Sequence, residues 1–237
     1  MRPWIYVALG IAAVVLIARA RSNPVDFEAE VKLAQEQKRP LEFVGRDLSG
    51  VRELERKDLT EADFTGANLR GARLDHATLT RADFTSADLS KANLLRVSAE
   101  GADFAQAKLS SATMIETNLT GADLTGAKLD GANLIGAVLV DANLNSADLS
   151  KAKLDLAVLR RAVLANVDLS DMALSRVDLR EANLMGADLS GSRLIGVQLV
   201  GARLEGAKLS GVRFDGVVYD QTTRWPVDFD PAEAVLR

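Results

Sequence analysis

Asp63, Asp83, Asp103 and Asp123 recur at intervals of twenty residues. Carboxylates brought close together can divide the acid and nucleophile roles of glycoside hydrolysis, or hold a hard cation such as calcium. Either chemistry needs a fold that sets these four side by side. Little else in the chain could react. No Cys is present, which removes disulfides, thiol nucleophiles and thiolate metal sites, and the single His, His76, is the only imidazole available to a triad. His76 follows Asp75 in a polar stretch and reads as an exposed surface residue. A net charge of −4 over 237 residues gives no positive excess for phosphate contacts, so no direct nucleic-acid binding is expected. No cofactor is expected.

The elements that must position these side chains are written in the repeat. Ala62-Asp63-Phe64-Thr65-Gly66, Ala67-Asn68-Leu69-Arg70-Gly71, Ala122-Asp123-Leu124-Thr125-Gly126 and Ala187-Asp188-Leu189-Ser190-Gly191 share one pattern. Stepping by five from Leu54 to Tyr219, every position is Leu, Phe, Met or Tyr except Ala99, giving 34 centres without a break in register. Ala sits two residues before most centres, with Val97, Thr117, Met172 and Ser192 among the variants. On an α-helix a period of five drifts by about 140° per repeat and leaves no apolar face. On an unbroken strand it sends alternate centres to opposite sides. A broken strand satisfies it: Ala and Leu, two apart, point inward, the residue between them points out, and the two after Leu turn a corner. This interior accounts for a chain that is 48% hydrophobic yet only 5% aromatic.

These residues resemble the pentapeptide-repeat family, whose consensus is A-[D/N]-L-x-x, over roughly residues 41–220. The resemblance implies an all-β, right-handed quadrilateral β-helix solenoid with four pentads per coil, hence about eight coils and a rod of roughly 40 Å at about 4.8 Å per coil. Phe64, Phe84 and Phe104, twenty apart, would then stack on one side. The start is irregular: Arg46, Arg52 and Lys57 take the inward position two before a centre, and Leu48 to Leu54 is a six-residue step. Residues 41–61 are therefore expected to form an irregular first coil.

Ahead of the repeat, Pro3 to Ala18 is a run of 16 uncharged residues between Arg2 and the pair Arg19 and Arg21. Helical, it reaches about 24 Å against about 30 Å of hydrocarbon. Trp4 and Tyr6 suit a membrane interface. We read residues 1–21 as a transmembrane anchor contacting the lipid bilayer through residues 3–18. The alternative is a cleaved signal, for which Ala18-Arg19-Ala20 provides a small-x-small site. Arg19, Arg21, Lys32, Lys38 and Arg39 lean the following domain toward the cytoplasm, whereas a cleaved signal or an inverted anchor would place it in the periplasm or outside. Residues 22–40 read as a linker and a helix over about 24–39, capped by Asn23 and Pro24. Its stripe of Phe27, Val31 and Ala34 would cover the first coil, with Glu28 and Lys32 paired outside, and so block edge-to-edge polymerisation. Residues 221–237 read as a C-terminal cap, in which Tyr219, Trp225 and Phe229 supply aromatic bulk and Asp230-Pro231-Ala232-Glu233 opens a short helix.

On a four-sided coil the four aspartates form an axial ladder. No loop is inserted between 54 and 219 to build a cleft over it, so the ladder reads as a solvated acidic stripe. Some relatives of the quinolone-resistance type resemble duplex DNA and bind DNA gyrase, and an acidic rod could act likewise. Here Arg73, Lys108, Lys128, Arg193, Arg203 and Arg213 dilute the stripe. A different feature stands out. Leu95, Ile115, Ile135 and Ile195 share the outward column after the centre, and Val138, Val140, Leu156 and Val158 fall on the adjoining corner and side. Apolar residues gathered there would mark a contact surface for a protein partner or for self-association. The sequence thus indicates a non-enzymatic, membrane-tethered scaffold, with a DNA-mimicking inhibitor of DNA gyrase or another nucleic-acid enzyme as the alternative.

Overall fold

The computed structural model describes residues 27–37 and 39–234. The expected anchor at 3–18 and the Asn23-Pro24 cap lie outside the described residues, as do the side chains of Phe27, Glu28, Val31 and Lys32. Among the described residues no helix is long and apolar enough to cross a membrane.

Each pentad is one side of a four-sided coil. Asp63, Asp83, Asp103 and Asp123 pair in parallel with one another, and the offset of twenty recurs through most of the chain. A side has only three extended residues, so most sides make a single bridge instead of a strand. Three backbone contacts per pentad join the coils: the Phe84 N–H donates to the Asp103 carbonyl at 2.7 Å, the Asp83 N–H to the Ala62 carbonyl at 2.9 Å and the Ser86 N–H to the Ala105 carbonyl at 2.9 Å. A fourth contact closes the corner within the pentad, the Ala67 N–H donating to the Phe64 carbonyl at 2.9 Å. The third residue of that turn, Gly66, has φ 63, the geometry of a type II turn. The interior alternates fully buried Ala and Leu in every coil.

The bulk of the residue after a corner sets how tightly the corner closes. Where Ala follows, the closing contact is mostly 2.9–3.1 Å; before Val97 it is 3.3 Å and before Thr117 3.4 Å. At Val177, Val197 and Val217 the corner opens, and the freed residues lengthen into strands β1 (Ala173–Ser175), β2 (Arg193–Ile195) and β3 (Arg213–Asp215). These three form one parallel sheet in the order β1-β2-β3. A β-branched side chain favours extended backbone and crowds the turn before it.

Both ends refine the expectation. The first coil is more regular than expected: Glu42 pairs with Asp63 and Asp47 with Asn68 at an offset of twenty-one, before Asp58 and Thr78 restore twenty. The extra residue lies next to Val51, whose carbonyl accepts the Arg73 N–H at 2.8 Å in the place usually held by the residue two before a centre. Val51 packs against the core while Arg52 and Lys57 stay exposed, so no charge is buried. Phe43 thereby joins the expected aromatic column, and the successive centroid separations from Phe43 to Phe104 are 4.9, 4.8 and 4.9 Å. Helix α1 (Phe27–Gln37) packs Ala34 into the core, and Arg39 pairs with Glu30 at 3.0 Å. At the far end Arg203 pairs with Arg224, continuing the ladder beyond 220. Tyr219, Trp225 and Phe229 cover the last coil as expected, the Tyr219 hydroxyl donating to the Pro231 carbonyl at 2.8 Å. The terminal helix is a single 3-10 turn, Pro231–Ala234, with the Asp230 carboxylate accepting the Ala232 N–H at 2.9 Å.

Candidate interaction surface

The acidic ladder is assembled and its carboxylates are engaged. Asp63, Asp83, Asp103 and Asp123 are half-buried, and each accepts the backbone N–H two residues on, at 2.9, 2.8, 2.8 and 2.9 Å. Each carboxylate therefore fixes its own corner, an Asx turn that explains why the repeat wants Asp or Asn before the centre. Asp188 shows the same use with a partner added. Hydrogen bonds from Lys208 Nζ at 2.8 Å and from Ser190 hold its carboxyl down at about 2. Among the described residues no group of three or more His, Asp or Glu side chains is arranged to hold a metal ion. His76 is exposed at a corner, with φ 61.

Its neighbour Asp75 is buried, which the sequence did not suggest. Burial pushes this carboxyl up, but Arg73, donating at 3.2 and 3.3 Å, outweighs it and holds the group below the ordinary carboxylate range. Arg73 also reaches Glu55 at 2.7 Å, and Asn93 Nδ2 donates to Asp75 at 3.0 Å. The pull of a base two residues away on a shared side was the available signal.

Oppositely charged corner residues twenty apart also pair across coils, a second feature missed in the sequence. Arg96 meets Glu116 at 2.7 Å and Arg161 meets Asp141 at 2.6 Å, with a further contact between Arg81 and Glu61. These pairs lie at the surface, where solvent screening leaves them little weight in stability.

The expected apolar residues do come together. Leu95, Ile115 and Ile135 occupy one corner column in successive coils, the Arg96 N–H donating to the Ile115 carbonyl and the Glu116 N–H to the Ile135 carbonyl, both at 3.0 Å. Val138 pairs directly with Val158 in the middle of the next side, and Val140 edges its far corner. All of these are half-buried, and Ile195 stands three coils beyond the rest of its column, past Asp155 and Ser175. The patch is therefore shallower than a run of exposed aliphatics, and it is centred on one protruding residue, Leu156, which is 51% exposed.

A four-sided coil with a twenty-residue period and no inserted loop between 54 and 219 defines a solenoid. A family model for pentapeptide repeats matches in eight copies over residues 58–94, 102–141, 117–155, 142–180 and 182–218, and the chain belongs to that family. Among solved structures, it is 32% identical to HetL, a pentapeptide repeat protein involved in heterocyst differentiation regulation from the cyanobacterium Nostoc sp. strain PCC 7120, covering 80% of this chain and 93% of that one with a TM-score of 0.36. It is 18% identical to QnrB1, a plasmid-mediated fluoroquinolone resistance protein, covering 70% of this chain and 90% of that one with a TM-score of 0.43. It is 24% identical to a pentapeptide repeat protein from the thylakoid lumen of Arabidopsis thaliana, covering 62% and 68% respectively with a TM-score of 0.19. No curated protein matches the chain.

Proposed function

We propose that the protein is a non-enzymatic scaffold, tethered to a bilayer through residues 3–18, whose rigid coil presents a contact surface to a protein partner. The observation that carries this reading is the apolar side of the coil around Val138, Leu156 and Val158. A rod that needs only polar outward residues has no folding reason to gather aliphatics there. The absence of catalysis is supported by the ladder carboxylates, each of which commits one oxygen to the backbone N–H of its own corner. The tether rests on the uncharged run and its flanking arginines, whose count leans the rod toward the cytoplasm.

The test is affinity capture of the full-length chain from its own membranes, beside a variant carrying Ile115→Ser, Ile135→Ser and Val158→Ser. The variant keeps its circular dichroism spectrum and loses the captured partner; capture of the same partner by both chains overturns the reading. Deleting residues 1–21 releases the chain from the membrane fraction. The half-exposed acidic ladder favours the second reading, a DNA mimic acting on a topoisomerase. Strong inhibition of gyrase supercoiling by the purified chain would put that reading first.

A further inference from the structure

We propose that the apolar side is one half of a two-fold, antiparallel interface between two copies of this chain. This rests on reading that side as a contact surface and names its partner. Nineteen non-glycine residues sit at positive φ among the described residues; eighteen are polar or charged, and the other is Leu156, at φ 62. A branched side chain is sterically disfavoured there, and half of this one faces water. Neither backbone geometry nor solvation accounts for leucine at that corner, whereas an apolar partner does.

One coil earlier in the same column is Gly136, at φ 67, a corner with no side chain. Let a two-fold axis lie across this side, midway between the coils of Gly136 and Leu156. Each Leu156 then lies over Gly136 of the second copy, and Val138 meets Val158. One coil further out, Glu116 meets Arg176. Glu116 is 53% exposed beyond its bond to Arg96, and Arg176 is exposed and forms no ion pair among the described residues. On the far corner Asp141 meets Arg161, so the pair already formed within each chain joins its copy in a ring of alternating charge. Leu95 meets Ile195 at the margins, and the least favourable juxtaposition is Ile135 against Asp155.

An isologous contact demands that one patch be its own complement, with acid and base equally far from the axis on opposite sides. Glu116 with Arg176, and Asp141 with Arg161, meet that demand on both corners at once. From Leu95 to Ile195 the side runs about 24 Å, at about 4.8 Å per coil, and it is about 10 Å wide. Such a contact is smaller than the roughly 1,600 Å² of a standard interface, so the association is reversible and depends on concentration.

Sedimentation velocity of the full-length chain in mild detergent, from about 1 to about 100 µM, reads the equilibrium directly. A monomer–dimer equilibrium is expected. Glu116→Arg and Arg176→Glu each weaken it about tenfold, and the two together restore it to within about threefold. A monomer throughout that range, or a dimer indifferent to both reversals, overturns the proposal. The absence of native Cys allows a second test of geometry. Chains carrying Glu116→Cys mixed with chains carrying Arg176→Cys form a mixed disulfide, while each alone does not, because the like positions stand about 14 Å apart, beyond the roughly 7 Å limit of a disulfide. Self-disulfides of either chain, or no mixed species, equally overturn it. A monomer that still captures a different protein through Ile135 and Val158 leaves the scaffold reading standing and removes only the second copy.

Discussion

Single side chains in this molecule divide into those that fill the bore and those that shape corners, and substitutions separate the two. Phe84 is fully buried between Phe64 and Phe104 at 4.8 and 4.9 Å, so Phe84→Ala empties a slot that two rigid rings cannot refill. It lowers stability by about 3–5 kcal/mol, read from chemical denaturation. Leu156→Gly does the reverse, relieving the strained corner for a net gain of about 0.5–1 kcal/mol while weakening association. A loss of stability in that variant would refute the strain. Titration acts at corners too. Asp188 titrates at about 2 in the fold against an ordinary 3.8, and Asp148 and Asp58 are lowered by the Ser150 and Thr60 hydrogen bonds to their carboxylates. A depressed carboxyl stabilises fully above its unfolded value, so the urea midpoint holds down to about pH 4 and falls as pH drops toward about 2. Asp188→Asn shallows that fall, and a midpoint flat across the interval would contradict it. The aromatic column was legible because identical types recur at twenty. The burial of Asp75 was legible only as far as the presence of Arg73 two residues away; that this arginine folds back to bond it appears only in the structure.

At the scale of the element, the informative place is the six-residue step. Removing Arg52 leaves Leu48-Ser-Gly-Val-Glu-Leu, a standard pentad with Val51 already in the inward slot. Deleting one residue from a β-structure ordinarily turns every following side chain to the wrong face. Here deletion of Arg52 retains the fold with an unfolding midpoint equal to or above that of the parent, measured by thermal circular dichroism; collapse of the fold would show that the extra residue is needed. The pentad period made the side and the corner readable in advance. The strands β1, β2 and β3 were not, because Val after a corner does not by itself open it: the corners before Val97, Val167 and Val212 still close at 3.2–3.3 Å, while those before Val177, Val197 and Val217 lengthen into strands. The short terminal helix was legible from Asp230 and Pro231, and its four residues close a 3-10 turn more readily than a full α-helical one.

The whole rod obeys nearest-neighbour rules, so its tolerance to length changes is quantised. Deleting residues 82–101 removes one coil and leaves the Val138–Val158 side intact; this variant folds and still self-associates. Deleting only 82–86 turns everything beyond by a quarter revolution relative to the first coils, breaks the Phe column, and lowers the thermal midpoint far more. Equal stability of the two would refute the twenty-residue coil as the cooperative unit. The partner surface was only partly legible at this scale: the sequence gathered its aliphatics, but the register of Glu116 against Arg176 has meaning only once columns are known. The segregation of aromatic rings has an optical consequence. Tyr219 and Trp225, at 5.3 Å and nearly perpendicular, lie at the far end from the stack of Phe43 to Phe104. In a chain lacking residues 1–21, and with them Trp4 and Tyr6, the tryptophan and tyrosine bands of the near-ultraviolet circular dichroism come from the far end alone, and their loss relative to the far-ultraviolet signal in a temperature ramp shows whether that end melts first.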